Sequence, residues 1–183
     1  MATSLGAAYL ETVIKRLKYY KQLADKTFEQ LSDSELHHTP NEASNSIAVI
    51  VQHMSGNMLS RWTDFLTSDG EKEWRNRDDE FDVHSYSKKQ ILEMWEQGWT
   101  CMLDTLTSLK EGDLLKTVQI RKEPLLVIDA INRQLAHYPY HIGQIIYAGK
   151  LIKNEQWKNL SIPKGKSEEY NKSDGLKDPA NLK

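Results

Sequence analysis

The sequence predicts an all-α fold, a four-helix bundle with an irregular C-terminal tail. Three observations carry this. Four long stretches repeat apolar side chains at helical steps of three, four or seven. Two of those stretches open on residues suited to starting a helix. The one β-prone run, Thr117–Ile120, has no evident second strand to pair with. A chain of 183 residues has room for one domain with a real core, and no segment repeats another.

The first stretch spans residues 5–31, with Leu10, Ile14, Leu17, Ala24, Phe28 and Leu31 on its apolar face. It contains no proline, and its one glycine sits at the start. The second spans residues 46–67. The third runs from Ser87 to Leu109, where Ser87 and Gln90 have the spacing of a capping box. Its apolar face is Ile91, Trp95, Met102 and Leu109. The fourth runs from Pro124 to Lys153. Pro124 suits a first helical position, which needs no amide hydrogen.

Between these lie two long connections. Residues 32–45 are rich in Ser, Asp and Asn and contain Pro40. Residues 68–86 are dense in charge but hold Trp74 and Phe81, a pair that predicts a loop packed onto the body. After Trp157 the chain is polar and punctuated by Pro and Gly. Residues 1–160 therefore form the bundle and 161–183 the tail. The phrase SIPKGKS in that tail lacks phosphate-loop spacing. It suits a segment folded across the bundle's open end or reaching a partner.

Composition excludes several functions. With 24 basic and 26 acidic side chains, a formal charge of −2 and a pI near 6.3, the chain has no broad attraction for nucleic acid or an acidic membrane surface. No apolar run approaches the ~20 residues that cross a bilayer. One cysteine, Cys101, permits no internal disulfide and suits a reducing compartment. The N-terminal residues do not form a secretory signal. The expectation is a cytoplasmic protein.

The fourth helix breaks the pattern of a plain core. One seam of it reads Val127, Ala130, Gln134, His137, His141, Gln144, Ala148, Leu151, polar in the middle four positions. Burying such groups without partners costs roughly 1–3 kcal/mol each. Other side chains, water or a metal must answer them. His137 and His141, four apart, share one helix face and can grip one cation, or can simply be hydrogen-bonded. Pro139 between them removes the amide that would bond to Leu135 and bends the helix there.

The second helix offers a third imidazole. His53 lies in an apolar stretch on a face of small residues that includes Gly56 and Ser60. That leaves space for a ligand cavity. The alternative is a lone core histidine, with Gly56 letting two helices approach. His37, His38 and His84 lie in polar loops and are expected to face solvent.

At His53, His137 and His141 the chain resembles the DinB/YfiT-like superfamily of metalloenzymes. The resemblance rests on one histidine in the second helix and an HxxxH in the last, here followed by GQ. The stretches NSIAVIVQHMSGNMLSRWTDFLTSDGEKEWRNRDDEF, AINRQLAHYPYHIGQIIYAGK and LSIPKGKSEEYN also resemble one subfamily to which no function is assigned. The resemblance implies a variant of up-and-down bundle topology and frequent assembly as a homodimer. It implies one divalent metal per chain, zinc or nickel, held by the three histidines. Some relatives are transferases or isomerases that use bacillithiol or mycothiol.

Three neutral histidines leave a divalent ion an open position for water or a thiol. A thiolate formed there would make the protein an S-transferase, with a small-molecule substrate and a low-molecular-weight thiol. A hydroxide would make it a hydrolase. A non-catalytic metal-binding or stress-response module is the third reading. No HExxH motif supplies a built-in glutamate base. Asn57, Arg61, Arg133, Gln134 and Gln144 are the candidates to orient the ligands or meet substrate. Arg61 and Arg133 could equally be surface ion-pairing residues. Tyr138 and Tyr140 are expected at helix interfaces, and Cys101 as a buried small side chain.

Overall fold

The computed structural model describes residues 4–173 together with Asp178 and Ala180. Its elements are α1 (Leu5–Phe28), α2 (Asp33–Leu36), α3 (Ile47–Trp62), α4 (Lys88–Ser108), β1 (Thr117–Ile120), β2 (Glu123–Leu126), α5 (Val127–Lys153) and α6 (Ser167–Lys172). The four long helices make the bundle. Both α1 and α3 pack against α4 and α5. None of the described helices is long and apolar enough to cross a membrane.

Serines start three of the four long helices. The Ser4 and Ser46 hydroxyls accept the amides of Ala7 and Val49, each at 3.2 Å. Ser87 and Gln90 form the expected capping box, with the Ser87 amide 2.9 Å from Gln90 Oε1. The helix α3 is the axis of the fold. Every residue of it except Gly56 and Leu59 is buried. Around it the core is aromatic and aliphatic. Phe28 meets Trp95 edge-on at 5.1 Å between ring centres, and Trp95 in turn leans on Trp99 at 5.3 Å.

Several boundaries differ from the sequence expectations. The first helix stops at Phe28, because Ser32 and Glu35 form their own capping box and begin α2. The second stops at Trp62. Pro124 does not start the last helix. It lies in β2, opposite Gln119 of an antiparallel ribbon, and α5 begins at Val127. A proline is tolerated there because a two-stranded ribbon consists of edges. The run Thr117–Ile120 thus does find a partner.

The ribbon turns at Arg121 and Lys122, both left-handed at φ 56° and 64°. This sign pattern is that of a type I′ hairpin, which ordinarily takes Asn or Gly. Asp69 supports the turn from outside. Its carboxylate accepts the Arg121 and Lys122 amides at 2.8 and 2.7 Å. The Gly70 amide donates to the Gln119 carbonyl at 2.8 Å. The charged 63–87 connection is therefore fastened to the hairpin through its backbone.

That connection packs onto the body, but not through the expected pair. Trp74 is 61% exposed, while Phe81 is half-buried on a single turn of 3-10 helix, Asp79–Phe81. The tail is less irregular than expected, since Ser167–Lys172 form α6. Asp178 pairs with Lys15 at 2.8 Å and Arg16 at 2.6 Å. The remaining part of the 161–183 tail, residues 174–177, 179 and 181–183, lies outside the described residues.

Left-handed backbone costs a side-chain-bearing residue roughly 1–2 kcal/mol, of which glycine's extra chain entropy returns part. Lys122→Gly is expected to raise stability by about 0.5–1 kcal/mol, read as a shifted urea midpoint with an unchanged slope.

Candidate metal centre

Each of the three predicted ligands sits on a long helix. His53 comes from the centre of α3, and His137 and His141 from successive turns of α5. One ring nitrogen from each lies within 4.8 Å of the other two. The ring centres of His53 are 5.6 Å from His137 and 5.0 Å from His141. His53 is buried and the other two are half-buried.

The second nitrogen of every ring is already engaged. His53 Nδ1 donates to Glu80 Oε2 at 3.0 Å. His137 Nδ1 donates to Gln134 Oε1 at 3.2 Å, and His141 Nδ1 to Gln144 Oε1 at 2.7 Å. With each Nδ1–H donated in this way, each Nε2 keeps a lone pair. His137 Nε2 and His141 Nε2 then face each other across 3.0 Å. Two such nitrogens are held this close either by a shared proton or by a cation between them. A tetrahedral zinc bonded at about 2.0–2.1 Å holds its nitrogens roughly 3.3 Å apart, near this spacing.

The electrostatics favour the ligating form. Burial, followed by the positive fields of His141, His53, Arg133 and Arg61, pulls the His137 pKa down to about 4. Burial also lowers that of His141, against the bond from Gln144. A neutral ring at pH 7 is the state a metal binds. The arrangement is compatible with a metal site.

Two residues that sequence reasoning missed complete it. Glu80 leaves the charged connection to reach His53, with its side chain 10% exposed. Arg75, at 2% side-chain exposure, grips the same carboxylate with Nε at 2.7 Å and Nη2 at 2.9 Å. Burial raises the Glu80 pKa, but the bonds from His53 and Arg75 outweigh it and hold it below the usual carboxylate range. Phe81, next in sequence, lays its ring 4.9 Å from that of His53.

The space beside Gly56 is the seat of this carboxylate. A Cβ at position 56 would lie 2.2 Å from Glu80 Oε1. The small face of the second helix therefore receives the loop, which corrects its reading as an empty ligand cavity.

The other candidates divide by location. Gln134 and Gln144 hold the rings of His137 and His141, as described. Asn57 is buried and accepts the Tyr138 hydroxyl at 3.0 Å, while Tyr138 accepts Trp62 Nε1 at 3.0 Å. Burial raises the Tyr138 pKa, so it stays a hydroxyl. Arg61 is 4% exposed and pairs with Glu71 at 3.1 Å, so the surface reading is wrong for it. Arg133 is exposed beside His137. Tyr140 is 62% exposed, not packed at a helix interface, although its hydroxyl accepts Gln144 Nε2 at 3.1 Å.

The histidines also sit differently from the sequence seam. The buried stripe of α5 is Val127, Ala130, Ile131, Gln134, Tyr138, Ile142, Ile145 and Gly149, and the two imidazoles stand on its shoulder. Pro139 lies within an otherwise continuous helix. His38 is exposed, but His37 and His84 are half-buried, and His37 Nε2 bonds the Tyr86 carbonyl at 2.7 Å. Cys101 is half-buried against Thr63, with Sγ 3.6 Å from the hydroxyl.

The family model described as protein of unknown function (DUF1572) matches residues 4–166. The chain belongs to this family. DUF1572 is a DinB/YfiT-like family, in agreement with the resemblance at the three histidines. The DUF1572 match takes in all three imidazoles, Arg75, Glu80 and the hairpin, and it ends before α6. No curated protein matches the chain.

Tyr138→Phe would leave Asn57 Oδ1 and Trp62 Nε1 buried without a shared partner. The expected cost is about 1–3 kcal/mol, measured by urea denaturation.

Proposed function

We propose that His53, His137 and His141 bind one divalent ion per chain, zinc or nickel, and that the protein is a metal-dependent enzyme. Its reaction is thiol transfer to a small-molecule substrate, with a low-molecular-weight thiol such as bacillithiol as co-substrate. The observation that carries the metal reading is the pair of Nε2 lone pairs opposed at 3.0 Å, each ring held that way by a bond at Nδ1. A divalent ion bound there supplies positive charge that favours the thiolate of a thiol over its protonated form.

The chain's residues do the positioning. Glu80, Gln134 and Gln144 keep the three rings aimed at a common point. The Trp62–Tyr138–Asn57 chain ties α3 to α5 and fixes the distance between the ligand-bearing helices. Phe81 shields the buried ring of His53 from water. Cys101 bonds with Thr63 and does not line the site, which supports a thiol brought by a second molecule. The transfer joins that thiol's sulfur to an electrophilic carbon. The leaving group departs with the bonding pair and the thiol proton passes to solvent.

A cytoplasmic setting, where unpaired Cys101 stays reduced, fits this reading. So does a homodimer, for which Tyr140, Tyr147 and Leu151 form an exposed apolar stripe on α5. Sedimentation equilibrium is expected to return twice the 21.2 kDa chain mass.

The decisive test is elemental analysis of protein purified without a histidine tag. About one zinc or nickel per chain is expected, lost in His53→Ala, His137→Ala and His141→Ala. Glu80→Gln, which keeps an acceptor for His53 but removes its charge, should weaken metal affinity roughly 10–100-fold. Added thiol should shift the visible spectrum of the cobalt-substituted protein. A folded wild type that carries no metal and rejects both zinc and nickel would refute the metal reading. Turnover of activated esters without thiol would assign a hydrolase instead. A cobalt spectrum indifferent to thiols would leave a non-catalytic metal module.

A further inference from the structure

Beside the three histidines lies a cavity of about 260 Å³, walled in part by His53 and His137. Five arginines line it: Arg61, Arg75, Arg77, Arg121 and Arg133, and no carboxylate does so among the described residues. Two carboxylates stand behind this wall. Glu71 takes Arg61 at 3.1 Å, Arg121 at 3.0 Å and Arg75 at 3.4 Å, and Glu80 takes Arg75 at 2.7 Å. Five guanidinium charges thus face two carboxylates, shared through the same few oxygen atoms.

The surplus falls on identifiable groups. Arg133 makes no ion pair or hydrogen bond among the described residues, and Arg77 only covers the Phe81 ring at 5.2 Å. Arg61 lines the cavity from below, 4% exposed and held by Glu71. A cluster of like charges repels itself, and the unpaired guanidinium donors of Arg77 and Arg133 stand at the cavity. An oxyanion in the cavity would answer both, since guanidinium forks match carboxylate and phosphate oxygens.

We infer that this cavity holds the oxyanion group, carboxylate or phosphate, of the substrate whose reacting end lies at the three-histidine centre. Arg77 and Arg133 are its free clamps, and Arg61 and Arg75 form its fixed floor. Binding of the oxyanion stands on the arginines alone, whereas the placement of the reacting end rests on the metal reading above.

The probes are inorganic phosphate and succinate, titrated calorimetrically into the full chain at constant ionic strength. Zinc-loaded and metal-free protein are both used. The variants are the double substitution Arg77→Gln with Arg133→Gln, whose sites are exposed, and Lys18→Gln as a charge control on α1. Wild type is expected to bind one or both probes with or without zinc. The double variant should weaken binding roughly tenfold or more, keep a wild-type circular dichroism spectrum and hold as much zinc. Lys18→Gln should change nothing. Preference for phosphate assigns a phosphorylated substrate, and preference for succinate a carboxylate.

Equal affinity in wild type and double variant would overturn the inference, as would folded wild type that binds neither probe. Binding seen only with zinc and indifferent to the arginines would place the anion on the metal, which sinks the arginine site and leaves the metal reading standing. Arginine-dependent phosphate binding in a protein that takes up no zinc would sink the metal reading alone.

Discussion

The site is organised by one buried carboxylate. Glu80 sits between His53 and Arg75, at 3.0 Å from one and 2.7 Å from the other. Alone, a charge at that depth would cost several kcal/mol in lost hydration. With both partners it is satisfied on each oxygen, and removing any member strands the rest. This explains why a side chain at position 56 would displace the carboxylate, and why Arg75 is almost wholly enclosed.

From Glu80 the ionic contacts run outward without a gap. Arg75 bridges Glu80 to Glu71, Glu71 gathers Arg61 and Arg121, and Arg121 sits at the hairpin turn that Asp69 supports. The charged connection, expected to pack onto the body, is therefore also part of the site's frame. Its attachment is electrostatic and backbone-mediated, whereas the helices beneath it are joined by apolar packing.

The division between what could and could not be read from the sequence follows from these two kinds of attachment. Helical periodicity made the histidine cluster legible: His137 and His141 share a face by spacing alone, and His53 interrupts an apolar run. The Ser87–Gln90 box was legible because capping is local. Glu80 was not, because nothing in DDEFD distinguishes the carboxylate that is buried from those that stay in water. Gly56 was seen as room, but the group filling that room arrives from 24 residues further on. The hairpin was hidden because Arg121 and Lys122 are poor turn residues and Pro124 argues against a strand. Their support comes from Asp69, far away in sequence. The heptad seam placed the imidazoles one position too deep, since the core of α5 is centred on Tyr138 and Ile142.

The histidines and the groups that bond to them reside on different kinds of scaffold. The three imidazoles are rooted in helices whose packing fixes them, while Glu80 and two of the five arginines, Arg75 and Arg77, arrive on a segment with few apolar anchors. Substitutions in that segment can alter the basicity and reach of the centre without repacking the bundle. A single helical chassis of this design lends itself to divergence, with new selectivities arising from exchange of the strap while the three histidines stay in place.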